Sequence, residues 1–282
     1  MESKSVVAAR KPDIAGEDSR TGGLSPVERQ SEDPAGASAA IASQLEAFRE
    51  HCLTSGVNPV LYWLVRAVLL PSFLLYFRLK RIGGERIPSE GPVLFAANHR
   101  SFLDPFVIGA LTRRPVYYMA KRELFERRWQ AWLLNSLGAF PVDRGTGDEH
   151  AMATARMILE RGDCVVIFPE GTRVRPGPLG RPHRGVGRLA LQTGALVVPV
   201  AVMGTEDVRR GWRIRPRKVT LHCGRPLRFP VAERPSPSIA LGVAERIWAC
   251  VSLQWEWLGG ASAAAHSEGS PPGSAQRQAR AA

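Results

Sequence analysis

Short apolar runs separated by longer amphipathic stretches dominate residues 75–225. Runs at 75–82, 93–97, 116–120, 139–143, 164–168, 196–203 and 219–223 have strand length, and 122–137, 148–161 and 184–193 between them read as helices. This alternation predicts an α/β fold, a single domain with a mostly parallel central sheet flanked by helices, onto which a last helix at 237–257 packs. Upstream, a helical pattern at 41–52 leads into PVLYWLVRAVLLPSFLLYF, residues 59–77, where Arg66, Pro71 and Ser72 are the only breaks in an apolar run. A spanning helix needs about 20 apolar residues, so the run is nearly long enough. Arg66 and Pro71 argue equally for a segment lying in the interface or dipping into one leaflet, and a buried core helix is the bland alternative. Tyr62, Trp63 and Tyr76 are ring types that favour the interface, and Arg78, Lys80 and Arg81 suit an anionic surface. Residues 36–77 are therefore expected to be membrane-associating helices and 78–258 the main domain. Residues 1–35 and 259–282, rich in Ser, Gly, Pro and Ala, read as disordered tails.

Composition narrows the partners. The 282 residues are 44% hydrophobic, enough for one full core, and the formal charge of +12 favours an anionic partner: nucleic acid, an acidic membrane surface or a phosphorylated substrate. The four cysteines, Cys52, Cys164, Cys223 and Cys250, form no CxxC pair, which argues against a zinc knuckle or a disulfide framework. The polar N-terminus carries no secretory pattern, so a cytosolic setting is expected.

Four stretches at strand ends carry candidate chemistry. In NHRSFLD, residues 98–104, Asp104 precedes Pro105 and suits a helix N-cap, which explains it without catalysis. That leaves His99, an imidazole at the end of an apolar strand that needs a partner or a cleft. A loop there can bring His99 and Asp104 together as a general base, the carboxylate fixing the tautomer while the other nitrogen takes a proton. In FPEGTR, residues 168–173, Arg173 can grip a phosphate, with Thr172 and backbone N–H groups as further donors; a Glu170–Arg173 loop ion pair is the alternative. GAFPVDR, residues 138–144, ends a strand at Asp143 and Arg144, and in LVVPVAV, residues 196–202, Pro199 cannot donate a ladder hydrogen bond and marks an edge or an irregularity. GVGRLA, residues 185–190, fits GxGxxA but follows a Pro and Arg loop, so a dinucleotide site is disfavoured. There is no GxSxG, Walker loop or HExxH.

In this order the four blocks resemble those of the glycerophospholipid acyltransferase family, typified by 1-acylglycerol-3-phosphate acyltransferase, over roughly residues 75–225. The first and third blocks match at every position; Pro141 departs from the usual β-former of the second. The resemblance implies that His99 and Asp104 form the catalytic dyad, that Arg144, Glu170, Gly171, Thr172 and Arg173 bind the acceptor phosphate, and that Pro199 shapes the site. Asn98, Ser101 and Lys121 are further candidates for substrate contact. It also implies acyl transfer from acyl-CoA or acyl carrier protein to a lysophospholipid acceptor at the cytoplasmic face of an anionic membrane, with no metal and no separate cofactor. Ser101 as a nucleophile is disfavoured, since the substrate supplies the attacking hydroxyl. Other lysolipid or glycolipid acceptors stay open, as do a thioesterase or lipase and a nonenzymatic membrane-binding protein. RRGWRIRPRK, residues 209–218, could hold anionic lipid, meet the donor's phosphates, bind nucleic acid, or be an ordinary solvated loop.

Overall fold

The computed structural model describes residues 34–143, 147–174, 177–210 and 212–261. Two helices come first, α1 (Pro34–Thr54) and α2 (Pro59–Leu75). Asn58 starts α2 by accepting the Leu61 N–H on its side-chain oxygen, and Pro59 takes the first helical position, where no N–H partner is needed. There follow β1 (Lys80–Ile82), β2 (Val93–Ala97), α3 (Asp104–Gly109), β3 (Val116–Lys121), α4 (Arg128–Ser136), β4 (Ala139–Val142), α5 (Glu149–Glu160), β5 (Cys164–Ile167), α6 (Gly185–Thr193), β6 (Leu196–Met203), β7 (Arg209–Arg210), β8 (Arg213–Ile214), β9 (Thr220–Cys223) and α7 (Pro237–Trp257). The sheet and the candidate site lie within the unit formed by residues 40–282.

The main sheet has the order β1-β9-β6-β2-β5-β3-β4. The five strands from β6 to β4 run parallel; β9 is antiparallel to β6, and β1 pairs with it in parallel. Parallel strands are covered on both faces, so β2 and β5 are buried at every position, as their unbroken apolar runs require. Alternation splits β2 between two cores. Val93, Phe95 and Ala97 face Phe73 of α2 and Val107 and Ile108 of α3, whereas Leu94 and Ala96 face Ile158 of α5, Leu189 of α6 and Ile247 of α7. All five parallel strands therefore end on one edge, and NHRSFLD follows β2 directly beside FPEGTR after β5.

Several boundaries differ from the sequence pattern. The apolar run at 75–82 divides, because α2 continues to Leu75 and only Lys80–Ile82 pairs, at the sheet edge. The stretch 122–137 is interrupted: a 3-10 turn at Arg122–Phe125 seats buried Phe125 against Phe48, and α4 begins only at Arg128. GVGRLA lies in α6, where Gly187 serves packing: a Cβ there would fall 2.0 Å from the Ala240 carbonyl oxygen of α7. Pro199 stands in the middle of the sheet, not at an edge. It falls between the Val197–Leu227 bridge and the ladder that starts at Val200–Cys223, so its missing N–H meets a break in pairing, while its carbonyl accepts the Gly224 N–H at 2.8 Å.

No single helix among the described residues is long and apolar enough to cross a membrane; Ala42–Thr54 and Pro59–Leu75 have the length and composition only as a pair, bent by 88°. Arg66 does not stand bare in the apolar run: its guanidinium donates to the Gly109 carbonyl at 2.6 Å, at the negative end of α3. Val60, Leu64, Val68 and Leu75 of α2 are exposed.

Candidate active site

His99 and Asp104 meet. His99 Nδ1 lies 2.8 Å from Asp104 Oδ2, with the imidazole and the carboxylate both buried. The reason is local: Asp104 Oδ2 also accepts the backbone N–H groups of Arg100 at 2.6 Å and Ser101 at 2.7 Å, which folds the loop back on the carboxylate. Asp104 is thus not the N-cap of α3. It occupies the first helical position and turns its side chain to the amides before it, while Leu103 takes the cap position with no side-chain bond. A carboxylate with three donors on one oxygen accepts the Nδ1 proton and leaves Nε2, which has no hydrogen-bond partner among the described residues, as the basic nitrogen.

The FPEGTR loop clamps His99 on three sides. Phe168 stacks on the imidazole with centroids 4.0 Å apart and planes 19° apart. Glu170 Oε2 accepts the His99 N–H at 2.8 Å, and the Val174 N–H donates to the His99 carbonyl at 3.0 Å. The other Glu170 oxygen accepts the Gly180 N–H at 2.8 Å. Both Glu170 oxygens are therefore committed to backbone amides. It forms neither the loop ion pair with Arg173 nor an open side of a phosphate site, and a carboxylate there would repel a phosphate. Burial pushes the Glu170 carboxyl above its ordinary range, opposed by the two amide bonds and the Arg100 charge. Gly171 turns the chain at φ +68°, where a Cβ would sit 3.0 Å from the His183 ring.

Beyond that turn Gly171, Thr172 and Arg173 are exposed on the same strand edge, and Arg173 makes no ion pair among the described residues. Arg144 lies outside the described residues. Asn98 is structural: its amide exchanges two hydrogen bonds with the Val202 backbone, at 2.7 and 2.9 Å, and so extends the β2–β6 ladder past the strand end. Ser101 Oγ accepts the Leu103 N–H at 3.3 Å and has no bond to His99 among the described residues, so nothing activates it as a nucleophile. Lys121, at the end of β3, is exposed and pairs with Glu123 at 2.6 Å; no ion pair or hydrogen bond joins it to His99 or Asp104 among the described residues.

One residue the sequence patterns left out completes the site. Thr205, fully buried just after β6, donates to Asp104 Oδ1 at 2.6 Å. Its position, a polar residue directly after an apolar strand on the carboxyl edge, was the available signal. Thr205→Val removes a donor from a buried carboxylate oxygen, and about 1–3 kcal/mol of stability with it. We expect kcat to fall roughly tenfold with the acceptor KM little changed, and Thr205→Ser to restore both kcat and the denaturation midpoint; steady-state kinetics and denaturant unfolding check this.

Fold and site together define a class: an α/β protein with a buried histidine–aspartate pair at the carboxyl edge of a parallel sheet and an exposed arginine on the neighbouring loop. Residues 78–203 match the family model described as Acyltransferase. The chain is 32% identical over 145 residues to the 1-acyl-sn-glycerol-3-phosphate acyltransferase of Bacillus subtilis, covering 51% of this chain and 70% of that protein. It is 31% identical over 136 residues to the chloroplastic 1-acyl-sn-glycerol-3-phosphate acyltransferase LPAT1 of Arabidopsis thaliana (47% of this chain, 38% of that protein) and 33% identical over 150 residues to the lyso-ornithine lipid O-acyltransferase of Pseudomonas aeruginosa (52% and 54%). In fold it is similar to the crystal structure of the 1-acyl-sn-glycerophosphate acyltransferase PlsC of Thermotoga maritima, with a TM-score of 0.56 and 20% identity over 80% of this chain and 97% of that one. The chain belongs to the glycerophospholipid acyltransferase family.

Proposed function

We propose that this protein is an O-acyltransferase that moves a fatty acyl group from acyl-CoA or acyl carrier protein to the free hydroxyl of 1-acylglycerol-3-phosphate, giving phosphatidic acid. The observation that carries the chemistry is the His99 Nδ1–Asp104 Oδ2 bond with Nε2 left as base. Nε2 takes the acceptor's hydroxyl proton as that oxygen attacks the thioester carbonyl, and the tetrahedral intermediate expels the thiolate, which receives the proton from the imidazolium. Asp104 stabilises the imidazolium meanwhile. A thiol with a pKa of about 8.5 leaves readily, so the route needs neither a metal nor a covalent enzyme intermediate.

The acceptor's phosphate suits Arg173 and Thr172, exposed beside the loop that clamps His99. For the acyl chain there is an open apolar cleft between α2 and α3. Leu69, Phe73, Phe106, Tyr118 and Leu137 line it, and Phe106 is two residues from Asp104. With the exposed apolar face of α2, these features suit a protein held at the cytoplasmic face of a membrane, where its lipid acceptor resides. Arg173→Ala is expected to raise the acceptor KM about 10- to 100-fold, the worth of charge-assisted hydrogen bonds to a phosphate, with kcat less affected. An unchanged acceptor KM in steady-state assays would remove Arg173 from the site. The similarity to the lyso-ornithine lipid O-acyltransferase favours a second reading, another lysolipid as acceptor. An acceptor without a phosphate would leave Arg173 without its proposed partner.

A further inference from the structure

The segment RRGWRIRPRK is not a plain solvated loop. Its strands β7 and β8 pair antiparallel, Arg209 with Ile214 and Arg210 with Arg213, and the Arg215 N–H donates to the Val208 carbonyl at 2.7 Å. Trp212 at the tip is 82% exposed and Ile214 53%. The Arg213 guanidinium lies 5.1 Å from the Trp212 ring centroid, and Arg217 and Lys218 are exposed on the way out. An exposed tryptophan and isoleucine set among cations is the pattern that partitions into a lipid headgroup layer: the rings enter the interface and the charges meet anionic phosphates.

Two contacts tie this hairpin to surfaces already described. The Tyr76 hydroxyl donates to the Ile214 carbonyl at 3.1 Å, so the hairpin continues the exposed apolar face that runs along α2 to Leu75 and the following Tyr76. The Arg209 guanidinium stands 5.9 Å from the ring centroid of Phe102, which lies between His99 and Asp104 in the chain and is 40% exposed. Thr205, four residues before Arg209, holds Asp104.

We propose that the β7–β8 hairpin is a second membrane foot, which inserts Trp212 and Ile214 into an anionic leaflet and seats the His99–Asp104 loop against the lipid surface. This rests on the membrane reading of α2 and commits the hairpin to anionic lipid, by charge complementarity and by continuity with the α2 face. The acyl donor's phosphates and nucleic acid are the competing occupants.

The test uses the full chain, wild type, Trp212→Ala and the triple variant Arg213→Gln, Arg217→Gln, Lys218→Gln. All four positions are exposed, so these variants keep the fold. Partition onto phosphatidylcholine vesicles with and without phosphatidylglycerol is measured at low and high salt, beside acyl transfer in nonionic detergent micelles with titrated acyl-CoA. We expect the triple variant to bind the phosphatidylglycerol vesicles roughly 100-fold more weakly, from the contribution of three basic side chains near an anionic surface, with binding to pure phosphatidylcholine unaffected. Trp212→Ala is expected to lose roughly tenfold on both, and micellar kinetics to stay at the wild-type level. Wild-type partition of the triple variant onto anionic vesicles overturns the proposal. So does a raised acyl-CoA KM in micelles with vesicle binding intact, which would give the cations to the donor, or intact vesicle binding with weakened binding to a DNA duplex measured at the same two salt concentrations. If the wild type binds vesicles as described but transfers no acyl group in micelles, the enzymatic reading fails and the foot stands; if it transfers but binds no vesicle, the foot fails alone.

Discussion

His99→Ala removes acyl transfer by roughly 10²–10⁴-fold, the range that a positioned general base contributes, and leaves the fold in place. The fold survives because the loop does not depend on the ring. The His99 N–H and C=O are held by Glu170 Oε2 and the Val174 N–H, and the turn before Asp104 is held by the Arg100 and Ser101 amides. The loss on folding is the stacked contact with Phe168, a small cavity and one of the three donors to Asp104 Oδ2, a cost of about 2–4 kcal/mol. The checking measurement pairs kcat on a lysophospholipid acceptor with denaturant unfolding. A large activity loss with a modest change in midpoint is the expected pattern, and equal collapse of both would mean a structural role.

Asp104 separates two effects through two substitutions. Asn keeps an oxygen where Oδ2 accepts three donors and sets an NH₂ towards Thr205, whose hydroxyl can turn from donor to acceptor. The hydrogen bonds survive and the charge is lost, so Asp104→Asn should fold, with kcat lowered roughly 10²–10⁴-fold because the imidazolium is no longer stabilised. Ala leaves the Arg100 and Ser101 N–H groups, Nδ1 and the Thr205 hydroxyl unpartnered in a buried place. Asp104→Ala should destabilise by about 3–5 kcal/mol as well as inactivate. Unfolding midpoints for both variants beside their kcat values check the pair; an Asn variant of wild-type activity would leave the carboxylate charge without a role.

How legible this was depends on where each residue finds its partners. The sheet could be read from the apolar runs, since strands covered on both faces must be apolar throughout, as β2 and β5 are. NHRSFLD and FPEGTR stood out because their chemistry is local and their spacing fixed. Roles that depend on distant backbone could not be read. Glu170 answers amides at His99 and Gly180, and Thr205 answers a carboxylate 101 residues earlier. Asn98 pairs with Val202, 104 residues away. The cap assignment of Asp104 failed for a related reason: Asp before Pro suits an N-cap, but the amides that precede it compete for the same oxygen and win. At 75–82 the pattern could not say where helix yields to strand, because Leu and Phe serve both, and only pairing with β9 fixes β1 at Lys80.

The most direct test of the central claim is an acyl transfer assay with purified protein, labelled acyl-CoA and 1-acylglycerol-3-phosphate, with lipid products and free acid both quantified, run beside His99→Ala. Labelled phosphatidic acid is expected to form only when acceptor is present, with little free fatty acid and with product lost in the variant. Free acid released at the same rate without acceptor, or undiminished product from His99→Ala, would contradict the central claim.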